Sequence, residues 1–374
     1  MMIKENSLNR IISLQGLRAI LFGLIFIYHL SMIGHISETV IYKRFGRGGG
    51  TEAVAIFFVL SGFVEAIHPK CIKYDFINII KLCVQRVKRF YKLHVFFLIL
   101  TIPTMVIMIA KFPVKYFIRF IINLFLFQSW FPNEEIWLSY NGVTWFLSTL
   151  VFLFLFIIPL HKLSSRIEKK IYARYIYILI AFLLIYFDFI VAIVVGKMCQ
   201  NIKYLLYAFP PIRLIDYCTG FVTGKIFMIK KEEYKEKNID LVKSTMLEAL
   251  AIGIITGYLI MYPFVPVELS RAVIYLPGAA FVIYILAFER GKISNFFSLP
   301  ILVSIGNNSL YYMISHQVVL RYCSLGKKFF DRFNWRINEW IWGIIALIIM
   351  FISKPLYDNL DDKLKSFFKR KIKR

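Results

Sequence analysis

The feature that most constrains this chain is the recurrence, along its whole length, of apolar blocks long enough to cross a bilayer. A transmembrane helix needs about 20 predominantly apolar residues. Ten such blocks are expected, near 11–33, 51–68, 93–111, 143–161, 173–196, 205–229, 244–263, 271–288, 299–320 and 337–356. Hydrophobic residues make up 59% of the 374 residues, with 37 Phe and 22 Tyr. A soluble fold of this size would alternate apolar and polar faces instead. The expected fold class is therefore all-α: a polytopic integral membrane bundle, one membrane domain over 1–374 that ends in a basic tail, 357–374. The stretch 115–131 is apolar but short for a crossing, and is expected to be interfacial or re-entrant. The first block lacks a small-residue cleavage site and is expected to stay in place as a span, not a removed signal peptide.

The formal charge of +24 would point to nucleic acid in a soluble protein. Here the loops account for it. With the N-terminus in the cytoplasm, the inside segments hold 28 Lys and Arg and the outside segments 14. That bias follows the positive-inside rule and predicts both termini in the cytoplasm, with no nucleic-acid partner. The outer segment 321–336, with five basic residues, runs against the rule. Five cysteines occur, with no CxxC or Cys/His zinc spacing, so neither a disulfide framework nor a metal site is expected.

Charged residues inside spans are costly, and are paired or functional. The first span carries Arg18 and His29. Eleven helical steps make three turns plus about 20°, so both leave one face, about 16 Å apart along the axis. One reading makes them two contacts along one ligand. The other has Arg18 snorkelling to the interface and His29 satisfied in the bundle. Glu52 opens the second span after Gly48, Gly49 and Gly50. It either orients His29, fixing its tautomer, or faces water near the helix N-terminus. Arg86 and Arg89, three apart, share a helix face and suit phosphate; the positive-inside rule alone explains them as well. Arg213 and Asp216, also three apart, are expected to pair with each other, and Gly220 with Gly224 forms a GxxxG packing signal. Trp145 reads as an interfacial anchor. Tyr311 and His316 lie in the ninth span, His316 near the outer surface.

Taken in order, these segments resemble the membrane-bound acyltransferase-3 family. Leu14 to Arg18 followed by His29 looks like its Arg-x10-His first helix, and Phe57 to Phe63 like its second-helix motif. Arg86-x-x-Arg89 looks like its cytoplasmic Arg pair, and Trp145 to Ser148 like its mid-chain motif. Arg213 to Asp216 with Gly220 and Gly224 resembles its Arg-Leu-Pro-Glu block. Tyr311 through His316-Gln317 resembles its late Tyr…His-Gln motif. The sequence departs from the pattern at Ala55, at Thr149 and Leu150, and at Val318, where many members have an acid, acids and Pro.

The resemblance implies an acyl-CoA donor, acetyl-CoA foremost, and a glycan or glycolipid acceptor at the plasma membrane of a bacterium. Arg18, Arg86 and Arg89 would hold the donor. His29 would be the general base with Glu52 beside it, or would itself be acylated first. Arg213, Asp216, His316, Trp145 and Tyr311 are candidates for the acceptor or the transition state. A flippase for a lipid-linked glycan would also suit spans with buried charges, although no inverted repeat is visible. A small-molecule acceptor and a non-catalytic scaffold are the other readings.

Overall fold

The computed structural model describes residues 10–39, 42–68, 74–233, 240–272 and 274–372, and they are helical, with no strand among them. The helices used below are α1 (Ile12–His29), α2 (Arg47–Ile67), α3 (Phe76–Thr101), α4 (Pro113–Leu124), α5 (Trp145–Phe154) and α6 (Ile157–Ile167). After these come α7 (Ala173–Met198), α8 (Ile202–Tyr207), α9 (Pro210–Glu233), α10 (Leu241–Met261) and α11 (Tyr275–Leu286). The chain ends with α12 (Lys292–Phe297), α13 (Pro300–Asn307), α14 (Ser309–Asp331) and α15 (Glu339–Ile372). Local chemistry sets several starts. Asp75 and Asp240 accept from the backbone N–H of Asn78 (2.8 Å) and Lys243 (3.0 Å), capping α3 and α10, and α4 and α13 begin on proline, whose missing N–H costs nothing there.

Seven described helices are long and apolar enough to cross a membrane, or eight if α5 and α6, bent by 48°, form one broken span. Ten were expected, and the two that fail are 205–229 and 299–320. The first is α9, which carries Arg213, Asp216 and Lys225 and buries them against other helices. A helix wrapped in protein has no need of an apolar surface all round. The second breaks at Asn308 into α13 and α14, and α14 runs on to Asp331. The basic stretch 321–336, expected as an outer loop, is therefore helical for most of its length. Two more expectations shift in the same way. Arg86 and Arg89 ride on α3, which belongs to an apolar segment continuing to Lys111, and the basic tail continues α15 to Ile372.

The α4 segment answers the question left at 115–131. Twelve residues rise only about 18 Å, short of the hydrocarbon thickness. Tyr116, Arg119 and Asn123 turn inward, while Val114, Phe117 and Ile118 are exposed. Polar side inward and apolar side outward suits a helix lying along the bundle against lipid.

Close approach of backbones holds the centre together. A Cβ on Gly62 would strike the carbonyl oxygen of Tyr217, and one on Gly220 that of Val59; on Gly224 it would lie 2.7 Å from the Ala66 Cβ. Helices α2 and α9 thus pack backbone to backbone, as small residues allow in membranes. A Cβ on Gly16 or Gly306 would likewise strike the carbonyl oxygens of Phe297 and Gln15, which seats α1 against α12 and α13.

Candidate active site

His29 is the last residue of α1. Its ring meets that of His316 on α14, with centroids 4.8 Å apart and planes at 64°. The hydrogen bonds fix the tautomers. His29 Nδ1 lies 2.9 Å from the carbonyl oxygen of Ile25, and His316 Nδ1 lies 3.0 Å from that of Tyr312. A carbonyl only accepts, so both Nδ1 atoms carry hydrogen. In the neutral rings Nε2 is then the lone pair. His316 Nε2, 3.3 Å from His29 Nδ1, accepts from it. Among the described residues, His29 Nε2 is left with its lone pair uncommitted.

His29 lines a cavity of about 420 Å³, within the size range of small-ligand sites. Around it stand Tyr28, Thr51, Trp137, Trp145, Tyr207 and Gln317, with Lys203 and Arg321 also on the wall. Trp145 and Tyr207 lie close with their planes tilted by 56° and ring centroids 4.7 Å apart, and Trp137 meets Trp145 edge-on at 6.2 Å. The loop that brings Trp137 is pinned onto α14. Asn141 Nδ2 donates to the Ile314 carbonyl at 2.8 Å, and the Val143 N–H donates to Gln317 Oε1 at 3.3 Å. The loop is held to α4 too, through the Asn123 Nδ2 bond to Ser139 Oγ at 2.7 Å and an ion pair between Arg119 and Glu135.

Arg213 is buried and satisfied. Its Nη1 donates to Asp216 Oδ2 at 2.6 Å and to the Tyr275 hydroxyl at 2.8 Å, and that hydroxyl donates to Asp216 Oδ1 at 2.6 Å. Its Nε donates to the Tyr207 carbonyl at 2.8 Å, and its Nη2 to that of Leu206. Arg213 thereby caps the C-terminal end of α8 and sets Tyr207 on the cavity wall, while neither it nor Asp216 lines the cavity.

Glu52 lies elsewhere. It lines a second, apolar cavity of about 220 Å³ between α1, α2, α10 and α11, beside Tyr258 and Tyr275. Successive helical residues point 100° apart, so Thr51, which faces His29's cavity, turns Glu52 away from it. The tautomer-fixing role expected of Glu52 falls to His316 and the Ile25 carbonyl. Tyr311 is also off the cavity, its hydroxyl donating to Ser353 Oγ at 2.9 Å and its ring packed on Phe97. Arg18 donates to Gln15 Oε1 at 2.8 Å and is no part of the wall. Arg86 is ion-paired with Glu65, with His161 Nε2 3.6 Å from the same carboxylate, whereas Arg89 is exposed.

The sequence-level reading thus placed His29, His316 and Trp145 among the site candidates without placing them together. It missed Trp137, Lys203, Tyr207, Gln317 and Arg321. The available signal was on α14, where Met313, Gln317 and Arg321 repeat at four-residue spacing along one face.

A family model for the acyltransferase domain of the acyltransferase 3 family matches residues 11–354, nearly the whole chain. The chain belongs to the acyltransferase 3 family. No curated protein and no solved structure matches it. Membership makes this a membrane acyltransferase, and the cavity lined by His29 is its candidate site.

Proposed function

We propose that the protein is a membrane O-acyltransferase that moves an acyl group, acetyl foremost, from acyl-CoA to a hydroxyl of a cell-surface or exported glycan or glycolipid. The observation that carries this reading is the uncommitted Nε2 of His29 inside a ligand-sized cavity. His29 Nε2 takes the proton of the acceptor hydroxyl as its oxygen attacks the thioester carbonyl. The tetrahedral intermediate collapses, the C–S bond breaks, and the leaving CoA sulfur takes the proton back from the imidazolium. His316 holds the ring in the Nδ1–H tautomer throughout.

The orientation follows from loop charge. With the start of α1 at the cytoplasmic face of a bacterial plasma membrane, Arg86 and Arg89 lie at the donor's entry and the His29 cavity lies toward the outer face. Arg18, about 16 Å before His29 along α1, stands on the path of the pantetheine arm. Arg86 would exchange Glu65 for a donor phosphate. The family's acyl chemistry and the positive-inside bias support this arrangement, and glycan is the acceptor class because its hydroxyls are plentiful on the outer side.

The test is thiol release from acetyl-CoA by purified protein, together with mass analysis of surface glycans. Wild type is expected to release thiol and add an acyl increment, and His29→Ala to lose both with normal membrane insertion. Full activity in His29→Ala would remove the mechanism. Glycan movement without consumption of acyl-CoA would make the protein a transporter.

A further inference from the structure

The cavity lining carries two cations, Arg321 and Lys203, that the proposed chemistry leaves unused. Arg321 lies five residues beyond His316 on α14, about 7.5 Å farther along the axis. It is half-buried, lines the cavity, and shares a helix face with Met313 and Gln317. Among the described residues no carboxylate pairs with it. Lys203 is on the same wall and is likewise without a carboxylate partner there. Glu134 supplies the one acid, against two cations. Elsewhere in the bundle several half-buried cations are ion-paired, Arg86 with Glu65, Lys327 with Asp331 and Lys354 with Asp358, while half-buried Arg18 donates to the Gln15 amide oxygen. A partly desolvated guanidinium left open to a cavity is a group awaiting an anion.

The rest of the wall is aromatic. Trp137 and Trp145 are buried and Tyr207 half-buried. The indole N–H of Trp137 has no acceptor among the described residues. A sugar ring offers an apolar C–H face to the negative face of an indole and hydroxyls at its edge to such a donor.

We propose that Arg321, with Lys203 on the lining of the same cavity, forms an anion subsite, so that the acceptor is an acidic glycan. The carboxylate or phosphate of one sugar binds Arg321 while a sugar beside it lies along Trp137, Trp145 and Tyr207 with a hydroxyl at His29 Nε2. This inference rests on the acyltransferase reading for the identity of the cavity, and on the unpaired cations for its charge preference. It also accounts for part of the basic excess in 321–336, since Arg321 faces a cavity and is no loop charge.

The test is equilibrium binding to the full-length protein in detergent, read by tryptophan fluorescence with no acyl donor present. The probes are a uronic-acid disaccharide, the neutral disaccharide of the same linkage, a sugar phosphate and CoA. Wild type is expected to bind one of the two anionic sugars about 10- to 100-fold more tightly than the neutral one, the range for charge-assisted hydrogen bonds. Whichever anionic probe binds tighter identifies the source as carboxylate or phosphate. Arg321→Gln is expected to remove the preference and Arg321→Lys to keep most of it. Equal binding of neutral and anionic sugars by wild type overturns the proposal without any variant. A preference that survives Arg321→Gln combined with Lys203→Gln also overturns it, as does a loss of CoA binding in place of sugar binding. His29→Ala is expected to retain the preference. A preference that stands while wild type transfers no acyl group would sink the acyltransferase mechanism alone.

Discussion

Two buried polar clusters sit a few helical turns apart in this bundle and are built to opposite ends. In the Arg213–Asp216–Tyr275 cluster nearly every donor meets an acceptor: carboxylate, phenol and two backbone carbonyls enclose the guanidinium, and the apolar cavity alongside meets the cluster at Tyr275, not at the guanidinium. In the His29–His316 cluster two rings use three of their four nitrogens and leave one facing a cavity. A closed network gains rigidity and has nothing left to offer a ligand. An open one leaves a binding capacity unspent, and that is where chemistry can occur. The comparison teaches that buried charge within a span marks function only when some of its hydrogen-bonding capacity is left over.

The largest effect that would break this contrast is on catalysis. His29→Ala is expected to cut acyl transfer by about 10²- to 10⁴-fold, the usual worth of a general base, with the thermal midpoint in detergent nearly unchanged. Arg213→Ala should do the reverse in kind. It leaves Asp216 buried without its cation and frees two carbonyls of α8, so a loss of about 3–5 kcal/mol is expected, seen in a denaturation series as reduced stability. If Arg213→Ala kept full stability and lost only turnover, the two clusters would have to exchange roles.

Smaller effects sharpen the picture. His316→Ala removes one of the two acceptors for His29 Nδ1, leaving the Ile25 carbonyl, and should lower kcat about 10- to 100-fold, as for other groups that orient a working histidine. A pH profile separates this from a packing defect, because loss of the partner ring moves the acid limb of the profile while a packing defect lowers it uniformly. Gly220→Ala would drive a methyl into the Val59 carbonyl. A destabilisation of about 1–3 kcal/mol is expected from overpacking, with the KM for acyl-CoA unchanged in the folded fraction.

The smallest effect is at the loop that closes the cavity. Hydrogen bonds from Lys115 and Arg119 hold the Glu135 carboxyl below its usual value of 4.5. Its folded pKa is depressed, so its contribution is present above the ordinary carboxylate range and is lost as pH falls through the depressed value. Amide protection across 134–141, taken relative to the intrinsic exchange rate at each pH, should therefore be the same at pH 6 and pH 8 and fall only in strong acid. Because Glu135 is exposed, solvent screens the gain, and Glu135→Gln should raise neutral-pH exchange only slightly. Fast exchange already at pH 6 in wild type would show that the pair does not hold the loop.

Much of the fold was legible because span length and apolar composition are local properties. The limits appear at α9 and α14. The blocks 205–229 and 299–320 were expected as ordinary spans, yet the first is a helix with buried charges wrapped by neighbours and the second is broken at Asn308 into a short apolar helix and α14. The segment 115–131 could be read only as interfacial or re-entrant, since its inward face is set by what α4 touches. For the site, the spacing of Arg18 and His29 put both on one face of α1, but it was silent on the partner. Glu52 was the natural choice by proximity in sequence, and one helical step turned it into another cavity. Arg321 was hidden in a charge count.

The sequence by itself determined that the chain is a bundle of membrane helices, that costly polar residues lie on them, and that their order is that of an acyltransferase family. Those facts depend on composition and on spacings of a few residues. Only the tertiary structure decided which polar groups are spent and which are free. His29 and His316 are 287 residues apart in the chain, and no local period links them. Hydrogen-bond capacity is used up by whichever groups the packing brings within about 3 Å, so the uncommitted nitrogen and the unpaired guanidinium emerge only once all the helices are in place.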